Sequence, residues 1–263
     1  MSKTTAAPYP GTQAVRRAFA VLKAFDSVHP QWSVSDLSRH IGLHKTTTFR
    51  LLGALVHEGM LEREEQTGTY RLGAELIALG SQALRSTDLY DASHAELEAV
   101  ARDTGEAATI EILVGDETVI LDEVRGRFFV GGRPDFGLRF PAHATSTGKL
   151  LLAAERESGG AARKPKKARL AKLTSKTITD HDEFEKELAK VWRQGFATAI
   201  DEIEEGFVAV GAPIRDFSGR TVAAMSVGGA RVRFTRARIA EVTARVREAA
   251  DLVSRRLGYT PKA

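Results

Sequence analysis

The hydrophobic pattern of the chain changes once, near residue 105, and that change constrains the fold more than any other feature. Upstream, apolar residues recur at helical steps between Gly-containing turns. Downstream, β-branched runs alternate with helical stretches. Ala107 to Val114 and Thr118 to Val124 flank Gly115-Asp116, a hairpin signal. A second pair, Phe207 to Arg215 and Thr221 to Val227, flanks Asp216-Phe217-Ser218-Gly219. Hairpins alternating with helices predict an α+β chain whose C-terminal part is built on an antiparallel sheet. With 263 residues, 43% of them hydrophobic, there is chain enough for one large domain or two modest ones.

Composition excludes several classes. With no cysteine, disulfides, Cys-based zinc sites and cysteine nucleophiles are ruled out, and a reducing cytoplasm is expected. No apolar run approaches the ~18 residues of a membrane span. The start, Met1 to Ala6, lacks the apolar core of a secretory signal. The net charge of +4 is mild, so the placement of cations matters more than their number.

Residues 1–11, with Pro8, Pro10 and Gly11, read as a flexible arm, and residues 12–73 as a compact unit of short helices. Val15, Ala18, Val21, Leu22 and Phe25 mark a first helix from about Gln13 to Asp26. Ser33-Val34-Ser35-Asp36 is a capping box opening a second, which Gly42 ends. A third runs from near His44 to about His57. On it Phe49, Leu52, Leu55 and Val56 are expected inside; Thr46, Thr47, Arg50 and Ala54 lie opposite, with Lys45 in the first turn. Two short helices across a Gly turn make a helix-turn-helix. An outward face of hydroxyls, small residues and cations, with no acid before Glu58, suits a major groove. Met60 to Arg63 and Thr69 to Leu72 follow as a hairpin, the wing, whose Tyr70 and Arg71 are its candidate contacts. Ser33, Lys45, Thr46, Thr47, Thr48, Arg50, Tyr70 and Arg71 are therefore the expected DNA-binding residues.

Enzyme motifs fail on their partners. Ala224-Met225-Ser226-Val227-Gly228 imitates a nucleophile elbow, but no His follows Ser226. Gly148-Lys149 lacks the first glycine and the hydroxyl residue of a phosphate loop. His40 and His44 straddle Gly42 and share no helical face, so no metal site is expected. The basic run Arg163, Lys164, Lys166, Lys167, Arg169 and Lys172 reads as a solvated segment. The last helix carries a stripe of Ile239, Val242, Val246, Ala249, Val253 and Leu257, for which packing on the sheet is the simplest account and a dimer-facing role the other.

The segment Ser35 to Leu52 resembles the recognition segment of IclR-family transcriptional regulators. Phe140-Pro141-Ala142-His143-Ala144-Thr145-Ser146-Thr147-Gly148-Lys149-Leu150 is similar to the family's central signature. Gly195-Phe196-Ala197, Gly211-Ala212-Pro213-Ile214 and Ala223 to Gly229 resemble its C-terminal one. The likeness runs in order from about residue 13 to 258. It implies a winged helix-turn-helix at 12–73, a linker helix at 74–87 and a GAF-like effector-binding domain at 88–263. It further implies a homodimer or homotetramer on a palindrome-like double-stranded DNA operator of a catabolic or metabolic operon. The implied effector is a small organic acid, with aromatic acids among the candidates, and no cofactor. Carried over residue by residue, the effector site is Thr145, Ser146, Thr147, Asp201, Ala209 and Ser226; Gly228 stands where some members carry a second Ser. Arg133 or Arg139 are candidate counter-charges for an acid, and His143 reads as a structural histidine. The competing reading is a small-molecule sensor or enzyme whose N-terminal helices make only protein contacts.

Overall fold

A computed structural model describes residues 11–26, 28–85, 88–128, 137–158 and 170–261. The chain divides into two compact units, 1–87 and 88–263.

The first unit opens with α1 (Gln13–Leu22), α2 (Val34–His40) and α3 (Lys45–His57). Ser33 caps α2 as expected: its Oγ accepts from Asp36 N at 3.1 Å, and the reciprocal contact runs from the Ser33 hydroxyl to the Asp36 carboxylate at 2.6 Å. Gly42 leaves α2 in the left-handed region, φ +66°, and so turns the chain into α3. The wing is β1 (Leu61–Arg63) paired antiparallel with β2 (Tyr70–Leu72), Leu61 opposite Leu72. Val21, Phe25, Trp32, Leu37, Leu52, Leu55, Leu61 and Tyr70 form one buried cluster, and Trp32 Nε1 donates to the Ala24 carbonyl at 2.8 Å. The unit ends in α4 (Ala74–Arg85), in which none of residues 74–83 is buried.

Leu52, Leu55 and Val56 of α3 face the core as expected, but Phe49 does not and Thr48 does. The buried residues of the helix are Thr48, Leu52 and Leu55, and Phe49 is 55% exposed. The seam therefore follows i, i+4, i+7 from Thr48. A threonine tolerates that place because its hydroxyl donates back to the His44 carbonyl at 3.3 Å, so no polar group is stranded.

The second unit begins with α5 (Leu89–Thr104) and the hairpin β3 (Ala107–Val114) and β4 (Glu117–Val124). Then come β5 (Arg139–Pro141), a 3₁₀ turn at Ala142–Ala144, α6 (Ser146–Glu157) and α7 (His181–Gln194). It closes with β6 (Ala197–Ile200), the hairpin β7 (Phe207–Arg215) and β8 (Thr221–Ala230), and α8 (Arg236–Arg256). The sheet order is β5-β4-β3-β8-β7-β6, antiparallel at every pairing. The two hairpins predicted from sequence thus meet along β3 and β8.

Strand alternation gives the sheet two covered faces. Ile110, Val210, Ala212 and Met225 pack with Leu97 of α5 and Val242, Val246, Ala249 and Val253 of α8. The α8 stripe therefore meets its own sheet. Ala197 and Ala224 point the other way, against Leu150 and Leu151 of α6 and Phe184 and Leu188 of α7. By register, Thr109, Glu111, Ala209, Gly211, Ser226 and Gly228 share this second face.

Candidate functional site

On α3 the outward residues Lys45, Thr46 and Arg50 are exposed and Thr47 is half-buried. The first turn holds no acid, and His44, the N-cap, makes no side-chain cap bond. The free first-turn N–H groups and the helix dipole are available to a phosphate. Phe49 joins this surface beside Thr46 and Arg50, an apolar ring of the kind that meets a thymine methyl.

Two expected contacts leave the interface. Thr48 is fully buried, and Tyr70 is 3% exposed, part of the core beneath the wing, with its backbone bridged to Trp32. Alternation in the wing strand places Tyr70 inward and Arg71 outward. Ser33 spends its hydroxyl proton on Asp36; together with Arg39 it holds that carboxyl below the usual range. Arg71 is exposed but doubly bonded to Glu62 Oε2, at 3.0 and 2.7 Å. An exposed pair of this kind is worth at most ~1 kcal/mol, so a phosphate can compete for the guanidinium.

The second cluster lies where α6 starts over the sheet. Thr145 caps α6, its Oγ1 accepting from Gly148 N at 3.0 Å. A Cβ at Gly148 would stand 2.1 Å from the Ala142 carbonyl oxygen, so only glycine lets the helix seat on the 3₁₀ turn. Thr147 donates to Glu111 Oε2 at 2.7 Å, Thr109 donates to Glu111 Oε1 at 2.9 Å, and Thr109 and Ser226 hydroxyls are 2.8 Å apart. One hydrogen-bonded chain thus joins Thr147 and Ser226, which the resemblance had placed in one site, through two residues it had not named. Ser146 is 1% exposed and its Oγ has no partner. It sits over Gly211, whose added Cβ would be 3.2 Å away, and Gly211 is the register partner of Ser226. Ala209 lies opposite Gly228, and a Cβ at Gly228 would strike the Phe207 ring at 2.5 Å. The chain therefore has an aromatic ring where a second serine would need space.

Asp201 serves the β6–β7 turn. It adopts φ +57°, its Oδ1 accepts from Gly206 N at 2.8 Å, and its other oxygen pairs with Arg231 at 3.6 Å. Arg133 and most of the basic run lie outside the described residues; Arg139 is exposed and pairs with Glu117 at 3.4 Å. His143 Nε2 lies 2.9 Å from the Ala171 carbonyl oxygen, a structural contact.

Behind this cluster Lys149 is 1% exposed. Its Nζ donates to Glu202 Oε1 at 2.6 Å and to the Thr198 carbonyl at 3.1 Å, with Glu187 at 3.7 Å. Burial pushes the Glu202 carboxyl up, against the pull of Lys149. No local pattern around Lys149 marks it as a buried ion-pair partner. For Thr109 and Glu111 the signal was present: period-two alternation puts an acid and a hydroxyl on one face of a strand otherwise apolar.

A winged helix-turn-helix with a cationic, hydroxyl-bearing third helix, followed by an α+β unit with a polar cluster, defines a DNA-binding transcriptional regulator. Residues 14–65 match the IclR helix-turn-helix domain and residues 81–255 the bacterial transcriptional regulator IclR C-terminal domain. The chain belongs to the IclR family. It is 29% identical to the HTH-type transcriptional regulator XynR of Escherichia coli, across 95% of this chain and 99% of that one. It is 31% identical to the glycerol operon regulatory protein of Streptomyces coelicolor, across 94% and 96%. An IclR homolog of Microbacterium hydrocarbonoxydans, solved with 4-hydroxybenzoate, superposes with a TM-score of 0.77 at 27% identity, across 93% and 98%. These domains are regulatory rather than catalytic, and among the described residues no helix is long and apolar enough to cross a membrane.

Proposed function

We propose that this protein is a cytoplasmic, ligand-responsive regulator of a catabolic operon. As a dimer or dimer of dimers it places its third helices in successive major grooves of a palindrome-like operator. The observation that carries this is the acid-free outer face of α3. Lys45, Arg50 and the first-turn N–H groups hold phosphate; Thr46, Thr47 and Arg50 read bases. Residues 12–73 act as the reading head, 74–87 as the linker and 88–263 as the effector domain. The effector is a small organic acid held at the start of α6 by Thr145, Ser146 and Thr147, facing Ala209 and Ser226, with Arg133 as a counter-charge and Asp201 shaping the adjoining turn. The relative solved with 4-hydroxybenzoate makes aromatic acids the first candidates. The acid shifts DNA affinity by the difference in its own affinity for the two protein states.

Footprinting on the DNA beside the gene tests the reading. Arg50→Ala should weaken operator binding by about 1–3 kcal/mol and lower the salt slope by about one. Unchanged affinity and an unchanged slope would remove Arg50 from the interface. Absence of protection at both low and high salt would favour the protein-contact alternative.

Dimerisation has its own support. Ile77 and Leu79 of α4 are 73% and 44% exposed, and Val15 and Phe19 of α1 are each 56% exposed. A helix that exposes such apolar side chains needs a partner, and a second copy provides one. Ile77→Asp should shift the protein toward monomer in sedimentation at micromolar concentration and weaken operator binding with it. A dimer as tight as the wild type would place the interface elsewhere.

A further inference from the structure

The acid cluster beneath α6 fixes where its hydroxyl protons point, and that direction constrains the ligand. A threonine or serine hydroxyl has one proton to give and two lone pairs. Glu111 is 6% exposed, and among the described residues no cation pairs with it. Its two oxygens are served by Thr109 at 2.9 Å and Thr147 at 2.7 Å. A carboxylate is the strongest acceptor in the cluster, so both threonine protons are committed to it. The 2.8 Å contact between Thr109 and Ser226 then has one remaining sense: Ser226 donates and Thr109 accepts. Ser226 is left with lone pairs only. So is Thr147. The floor of the cluster therefore accepts hydrogen bonds and does not give them. Among the described hydroxyls of this cluster, Ser146, at the start of α6, has no partner, and the helix dipole there also favours a negative group.

From this polarity we infer that the effector is an acid that also carries a hydrogen-bond donor, a hydroxyl or an amine, which it gives to Ser226. The carboxylate goes to Ser146 and the first turn of α6. A bare carboxylate or an ether at Ser226 meets lone pair against lone pair, close to the Glu111 carboxylate. The inference rests on the proposed acid-binding role of this cluster and sharpens it from small acids in general to hydroxy and amino acids.

Calorimetric titration of the full-length dimer with matched acids tests it. The sets are 4-hydroxybenzoate, 4-aminobenzoate and 4-methoxybenzoate, and lactate, alanine and 2-methoxypropionate. In whichever set binds, the hydroxyl or amino member should bind about tenfold or more tightly than the ether, the consequence of leaving a buried acceptor unpaired. Size alone could disfavour the ether, and Thr109→Val separates the two causes. Valine keeps the shape but removes the acceptor, so Ser226 turns its proton to the ligand and the preference collapses or inverts. Ser226→Ala, should the valine variant fold poorly, removes the lone pairs and collapses it as well. Equal binding of donor and ether by the wild type, or a preference that survives both substitutions, overturns the inference and leaves acid binding standing. If no member of either set binds, the acid reading of the cluster falls, and the inference with it.

Discussion

Lys149→Met should destabilise the effector-binding unit by about 3–5 kcal/mol, seen as a fall of roughly 6–20 °C in Tm. The substitution keeps an unbranched side chain of similar length in a site 1% exposed, so little packing is lost. What is lost is the partner of Glu202, 2.6 Å away, whose second oxygen is already buried without a hydrogen bond. The pH dependence distinguishes charge from packing. Burial holds the folded-state pKa of Glu202 above its ordinary value, and removing Lys149 raises it further. For an acid whose folded pKa is raised, the folded state binds the extra proton, and the penalty is present above that pKa and relieved below it. The Tm gap between wild type and variant should therefore narrow as pH falls through the folded pKa of Glu202. A gap that stays constant from neutral to acidic pH would mean that the lysine acts by its volume.

Gly148→Ala should cost about 3 kcal/mol, the upper part of the range for overpacking. The new methyl would lie 2.1 Å from the Ala142 carbonyl oxygen and 2.4 Å from the Ala142 Cα, backbone atoms that no rotamer change can move. Relief requires α6 to lift from the 3₁₀ turn, taking Ser146 and Thr147 with it and breaking the Thr147–Glu111 bond. Acid binding should thus fall together with Tm. A variant that melts with the wild type and binds acids as well would show that the helix start is not fixed by this contact.

Much of the site's scaffold is legible because its signals are local. The capping box at Ser33, the glycine turn before α3 and the two hairpins each need only residues within a few positions of one another. The same holds for the wing, where alternation decides that Arg71 faces out. The same alternation places Tyr70 inward, beneath the wing. Glu111 and Thr109 were equally within reach of alternation, since a lone acid in an apolar strand calls for a partner on the same face.

By itself the sequence determined the three short helices, the wing, the two hairpins, the last helix, the α+β class and the surface of α3 that offers cations and hydroxyls. All follow from hydrogen bonds and periodicities that close within one turn or one hairpin. Tertiary structure alone decided the exchange of Phe49 for Thr48 in the α3 seam, the proton direction and the lysine's role. A helix wheel ranks Phe49 inward by hydrophobicity, but the core cluster meets α3 along Thr48, Leu52 and Leu55. Ser226 becomes an acceptor only because β8 pairs with β3, setting it against Thr109 and so within reach of Glu111. Lys149 becomes the buried counter-ion only when the turn after β6 brings Glu202 beneath α6. Each depends on the electrostatics and space created by residues distant in the chain, which no local pattern encodes.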